Sequence, residues 1–104
     1  MATNRLEILK GLVAQNLLDT FSRYGLAMEY RSLGDLESAA GEFRALLASS
    51  PDYVPAYYHA GQTLERCGRE EEAREVYRRG LEAAAHKGDA HARSEIQAAL
   101  DLLG

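Results

Sequence analysis

Cysteine occurs once in this chain and proline twice, and long apolar runs are missing altogether. The lone Cys67 rules out an intrachain disulfide and any metal site built on cysteines. It stands just before Gly68, where it reads as a small packing residue at the end of a helix. Pro51 and Pro55 flank Asp52-Tyr53-Val54 and mark one sharp break, which leaves every candidate helix interior free of proline. No stretch reaches the ~18 apolar residues of a membrane span. Arg5, Glu7 and Lys10 interrupt what a secretory leader would need to be apolar, so a cytoplasmic protein without a membrane partner is expected. Unmatched positive charge is also lacking: the formal net charge is −4, which argues against a nucleic-acid partner. Most arginines lie near acids, as in Glu65/Arg66, Glu70–Glu72/Arg74 and Glu75/Arg78–Arg79, the pattern of solvated, self-paired helix faces. β-Branched residues are few and scattered, so strands have little support.

What the chain does have is helical periodicity. With 46% apolar residues in 104, one domain with a real core is expected. Gly34-Asp35, Gly68-Arg69 and Gly88-Asp89 each pair a helix-ending glycine with a polar residue able to open the next helix. A weaker break lies around Asn16 to Asp19, where Asp19 can cap a helix beginning at Thr20. Six segments remain between these breaks: 4–14, 20–33, 36–48, 54–67, 70–84 and 89–103. In each, apolar residues recur at spacings of three and four, and period-two alternation is absent. The fold class is all-α.

The segments are not independent. Gly34, Glu37, Ala39, Phe43, Arg44 and Leu47 recur 34 residues later as Gly68, Glu71, Ala73, Tyr77, Arg78 and Leu81. A period of that length marks a helix-turn-helix repeat, whose units bury their apolar faces only against neighbours. The tetratricopeptide signature runs Trp-x-x-Leu-Gly-x-x-Tyr, then Ala-x-x-x-Phe, then Pro. The first copy here resembles it through Leu26, Ala27, Tyr30, Ala39, Phe43 and Pro51, with Arg23 in the Trp place. The second does so through Tyr57, Ala60, Gly61, Leu64, Ala73 and Tyr77, with Ala85 in place of the closing proline. The chain also resembles a group of small bacterial tetratricopeptide repeat (TPR) proteins that carry a segment like Pro51–Tyr58.

That resemblance implies a short right-handed helical solenoid of about six antiparallel helices forming one domain, 1–104. Its parts are an N-terminal half-repeat helix (4–14), a first repeat (20–53), a second repeat (54–87) and a C-terminal capping helix (88–104). The small residues Leu26-Ala27, Ala60-Gly61, Ala39 and Ala73 would let helices approach. Tyr30 and Leu64 would fill the space between them, and Phe43 and Tyr77 would plug the junction to the next repeat.

In such a stack the first helix of each repeat lines a concave groove, the usual peptide-binding surface of the family. The groove-facing residues are expected to be Phe21, Tyr24, Met28, Arg31 and Ser32 in the first repeat, and Tyr58, His59, Gln62, Glu65 and Arg66 in the second. Arg93 and Ile96 would close it on the last helix. Aromatic residues with polar handles, an adaptable Met and Arg are types enriched at protein-binding patches. The plainer alternative has Phe21 and Tyr24 packing against the N-terminal helix. Some family members clamp the carboxylate end of chaperone tails with lysines, asparagines and an arginine. Here Tyr24, Met28 and His59 occupy those places and Arg93 alone is of that kind, so a partner segment with an apolar anchor fits better.

The expected function is therefore a non-catalytic protein–protein interaction module. The alternative is a self-associating structural protein, a homodimer through Leu6, Leu9 and Leu12 at one end or Ile96, Leu100, Leu102 and Leu103 at the other. No catalytic residue, cofactor or metal site is expected. His86, Asp89 and His91 straddle the break at Gly88 and define no single ligand face. Thr63 and Ser94 have no neighbouring base in sequence. Glu70-Glu71-Glu72 reads as the acidic first turn of a helix.

Overall fold

Asp19, Asp35 and Asp89 each accept a hydrogen bond from the backbone N–H three residues on, at 3.3, 3.2 and 3.0 Å from Ser22, Ser38 and Ala92. Each satisfies a donor that the first turn of a helix leaves unpaired. The computed structural model describes residues 2–16 and 19–104, with side chains from residue 5 onward, and these form six helices and no strand. They are α1 (Ala2–Gln15), α2 (Thr20–Ser32), α3 (Leu36–Ser49), α4 (Val54–Arg66), α5 (Glu70–Lys87) and α6 (Ala90–Leu103). The expected break around Asn16 to Asp19 lies partly outside the described residues. None of the described helices is long and apolar enough to cross a membrane.

The two copies of the repeat fold alike. Gly34 and Gly68 take φ of 84° and 77°, and the next residue's N–H returns to a carbonyl five back, Asp35 to Tyr30 and Arg69 to Leu64. Each is the left-handed helix end that glycine permits. One expectation fails in detail: Arg69 makes no side-chain cap on α5. Its guanidinium crosses to Glu37 at 2.8 Å, and Glu70, Glu71 and Glu72 complement the helix dipole in its place.

α2 packs on α3 and α4 on α5, while α3 against α4 joins the two hairpins. α1 lies on α2, and α6 lies on both α5 and α4. Phe43, Leu46, Tyr57, Leu64, Tyr77 and Ile96 are sealed in one core with Ala27, Ala39, Ala56, Ala60 and Ala73. Each large side chain so buried contributes on the order of 1.5–3 kcal/mol. The small residues set the spacing, as the repeat pattern implied. A β-carbon at Gly61 would stand 2.1 Å from Tyr77 Cε1, and one at Gly80 would stand 2.7 Å from Tyr57 Cβ. The Tyr77 ring thus occupies the space the missing side chain leaves.

At the N-terminal end Val13 is buried and Leu9 approaches the bare backbone of Gly25. Arg5 pairs with the buried Glu29 at 3.0 Å. On the outer layer Arg44 forks onto Glu72 at 2.7 and 2.9 Å, a second bridge between α3 and α5 beside Arg69–Glu37. Both pairs are solvated and contribute at most about 1 kcal/mol each.

The last hairpin departs from the 34-residue beat. α5 runs on to Lys87, beyond the expected end at 84, and Gly88 closes it at φ 70°. α2 and α4 begin 34 residues apart, at Thr20 and Val54, but α6 begins at Ala90, 36 residues after α4. Two extra residues turn a helix face by about 200°. The buried stripe of α6 therefore matches that of α4 at an offset of 36: Ile96 with Ala60, Ala99 with Thr63, Leu100 with Leu64.

Candidate functional site

Tyr24 on α2 and His59 on α4 meet with ring centroids 6.2 Å apart, and around them a cluster of rings forms on one face of the chain. Tyr53, in the turn before α4, stands edge-on to Tyr24 at 5.4 Å, and Tyr58 stands edge-on to His59 at the same distance. Behind Tyr24 lies Phe43 of α3 at 6.4 Å, which ties the cluster to the core. The Tyr24–His59 pair is tilted, and the other three are the edge-to-face arrangements that ring quadrupoles favour. The turn is itself held by Tyr57, whose hydroxyl donates to the Pro51 carbonyl at 2.5 Å. Tyr24, Tyr53, Tyr58 and His59 are all half-buried, with apolar area and polar tips presented together.

Arg31 Nη1 lies 2.8 Å from His59 Nδ1 and links the first helices of the two repeats. Burial pushes the His59 pKa below its ordinary value, the Arg31 charge pushes it the same way, and Glu95 opposes both. Burial raises the pKa of Tyr24, as does Tyr53, with Arg31 opposing. Arg31 therefore interacts with both rings.

The expected groove residues fall into three groups. Tyr24, Arg31, Tyr58 and His59 come together as described, and Met28 is half-buried against the same core. Gln62 and Glu65 are committed elsewhere: Gln62 Nε2 donates to the Tyr77 hydroxyl at 2.9 Å, and that hydroxyl donates to Glu65 at 2.5 Å. They anchor the tip of a core tyrosine, whose pKa is raised first by burial and next by the bond to Glu65. Phe21, Ser32 and Arg66 are exposed, Phe21 to 77%, so Phe21 does not pack against α1.

α6 presents different residues from those expected. Ile96 is fully buried, touching the bare backbone of Gly80, and does not line this face. Arg93 borders a depression at the α5–α6 turn with Ala84, Ala85 and Gly88, and is not brought to the ring cluster. The two-residue lengthening before α6 is the cause. At the offset of 36, Glu95 corresponds to His59, and Glu95 is the α6 residue whose charge acts on His59.

Tyr53 of the cluster and Glu95, whose charge acts on His59, were not among the expected residues. Glu95 was discoverable from the apolar stripe Ile96, Ala99, Leu100 and Leu103, which aligns with α4 at 36 and not 34. Tyr53 lay in a proline-flanked turn and carries no helical register to assign it. His86 and His91 fall on different helices and are exposed, as is Asp89 between them.

A sequence profile of the tetratricopeptide repeat matches residues 24–90. A TPR repeat-containing protein of Pseudomonas aeruginosa is 29% identical over 91 residues, 88% of this chain and 87% of that protein. The crystal structure of a tetratricopeptide repeat domain protein from Salinibacter ruber is similar at a TM-score of 0.77 and 36% identity, covering 82% of this chain and 94% of that one. The Yersinia enterocolitica type III secretion chaperone SycD, solved with a peptide of the translocator YopD, superposes at a TM-score of 0.88. It covers 98% of this chain and 79% of its own, at 16% identity, and that likeness is one of fold.

Proposed function

The chain belongs to the tetratricopeptide repeat family, and from that premise we propose that it is a non-catalytic interaction module. A peptide or partner-protein segment would lie along the face of α2 and α4. The observation that carries this reading is the half-buried cluster of Tyr24, Tyr53, Tyr58 and His59, drawn from both repeats and joined by Arg31. Rings with polar tips give large contact area at small conformational cost, and packing against one another, with the Arg31 bond to His59, holds them in place before a partner arrives. Phe21 and Met28 would extend the face along α2, Arg66 along α4, and Glu95 would border it on α6. Gln62 and Glu65 would act as its support through Tyr77. SycD, which shares the fold, has been solved with a peptide bound, and this agrees with the reading. The organisation that goes with it is an N-terminal half-repeat helix at 4–14, repeats at 20–53 and 54–87, and a cap at 88–104.

The test is capture of partners from lysate by the whole chain and by a Tyr24→Ala, Tyr58→Ala double variant. Loss of the specific partner by the folded variant is expected. Undiminished capture rejects the assignment of the face.

A second reading, self-association, is favoured by Ile8 and Leu12, which are 63% and 43% exposed one turn apart on α1. The other end offers less, since Ile96 is buried, Leu100 and Leu103 pack on the core, and Leu102 is the exposed leucine. Light scattering over a range of concentrations separates the two. A mass that rises to two chains and reverts on Leu12→Glu supports a homodimer, and a constant single-chain mass rejects it.

A further inference from the structure

Arginine keeps its proton throughout the working pH range and can only donate. The 2.8 Å contact between Arg31 Nη1 and His59 Nδ1 therefore requires a lone pair on Nδ1. His59 is then neutral, with its proton on Nε2. A protonated ring would set N–H against N–H and a second positive charge beside the first. The bond joins residues 28 apart, one on α2 and one on α4, at the ring cluster where those helices meet. We propose that the Arg31–His59 hydrogen bond is a pH-sensitive latch across this face, closed while His59 is neutral and released when the ring takes a proton.

The surroundings decide where the latch sits. Arg31 and Tyr24 approach His59 from α2, Tyr53 borders Tyr24 from the turn before α4, and Tyr58 flanks the ring from α4 itself. Glu95 acts on it from α6. α3 contributes the uncharged Phe43 behind Tyr24. α5 contributes Tyr77, which interacts with Tyr58 and whose hydroxyl is committed to Gln62 and Glu65. Burial and Arg31 both disfavour the charged ring, and Glu95 alone favours it, so the neutral, latched state extends below the ordinary histidine range. Once released, the guanidinium is free to turn toward a ligand, and the face carries one more positive charge. That consequence for binding rests on the function proposed above, whereas the latch is a property of the free chain.

The test uses the full chain without a partner, by NMR titration of the His59 ring and of the Tyr24 and Tyr58 rings. The expected result is a His59 midpoint below 6.5, with Tyr24 signals moving at the same midpoint and the Nε2-protonated tautomer above it. Arg31→Met should raise the midpoint. His59→Gln, which keeps an acceptor for Arg31 but does not titrate, should abolish the Tyr24 movement between about pH 5 and 8. A midpoint at or above 6.5, one unmoved by Arg31→Met, or Tyr24 signals indifferent to His59 would overturn the latch. A face that binds nothing would leave this titration intact, so the two ideas fail separately.

Discussion

Glycine has opposite meanings at two helix positions of this chain. Gly61 stands in α4 against the Tyr77 ring, and a β-carbon there would overlap a side chain that is fully buried. Gly41 stands on the exposed side of α3 with nothing within 4 Å of the same position. Alanine improves helix propensity by about 1 kcal/mol at either site. At Gly61 overpacking, toward the upper end of about 1–3 kcal/mol because neither the ring nor the α4 backbone has room to withdraw, outweighs that gain, and a net loss of about 1–2 kcal/mol is expected. At Gly41 nothing opposes it, and a gain of roughly 0.5–1 kcal/mol is expected. Urea unfolding of Gly61→Ala and Gly41→Ala measures both, and shifts of the same sign would refute the role given to Gly61. The small-residue positions were legible in the sequence because each recurred at one period with a large residue to match. The Arg31–His59 contact was not. Both residues were expected on the same face, but contact between side chains 28 apart depends on how far one hairpin is set against the next.

At the scale of the element, helix count and most boundaries follow from the punctuation, since glycine, proline and capping aspartate act locally. The misjudged boundary is the end of α5. Ala83-Ala84-Ala85 carries no stop signal, and the helix continues to the glycine that can end it. What decides which side of α6 faces α4 is the two-residue excess over the 34-residue beat, which makes Glu95 and not Arg93 the counterpart of His59. A regular period assigns interior repeats well and fails at caps, where a helix no longer has a following neighbour to satisfy. α1 is the opposite case, because its apolar residues step back by one period from those of α3, Leu9 from Phe43 and Val13 from Leu47. In the fold Leu9 meets Gly25 of α2, Val13 is buried, and Arg5 reaches the buried Glu29. Deleting residues 1–15 would bare that face of α2 and leave a poorly solvated carboxylate without its partner. A loss of several kcal/mol is expected, against the ~5–15 kcal/mol of a typical domain. Thermal unfolding of the truncated chain gives the answer, and a melting curve like that of the full chain would show α1 to be dispensable.

The whole molecule measures 37 × 27 × 20 Å and has two unlike sides. α3 and α5 are bridged by the Arg44–Glu72 and Glu37–Arg69 pairs. Between them lies a cavity of about 200 Å³ floored by Ala40, Phe43, Leu47, Leu64 and Val76. α2 and α4 carry the rings of Tyr24, Tyr58 and His59, with Arg31 between them. Solvated charge pairs on one side and aromatic area with polar tips on the other are the reason the proposed binding is placed on the second. A photoreactive benzoylphenylalanine placed at Tyr58 of the ring face, and in a separate variant at the exposed Arg78 of α5, tests that assignment most directly. Irradiation in lysate is expected to give a discrete partner adduct from position 58 and none from position 78. An adduct from position 78 with none from 58 would contradict it.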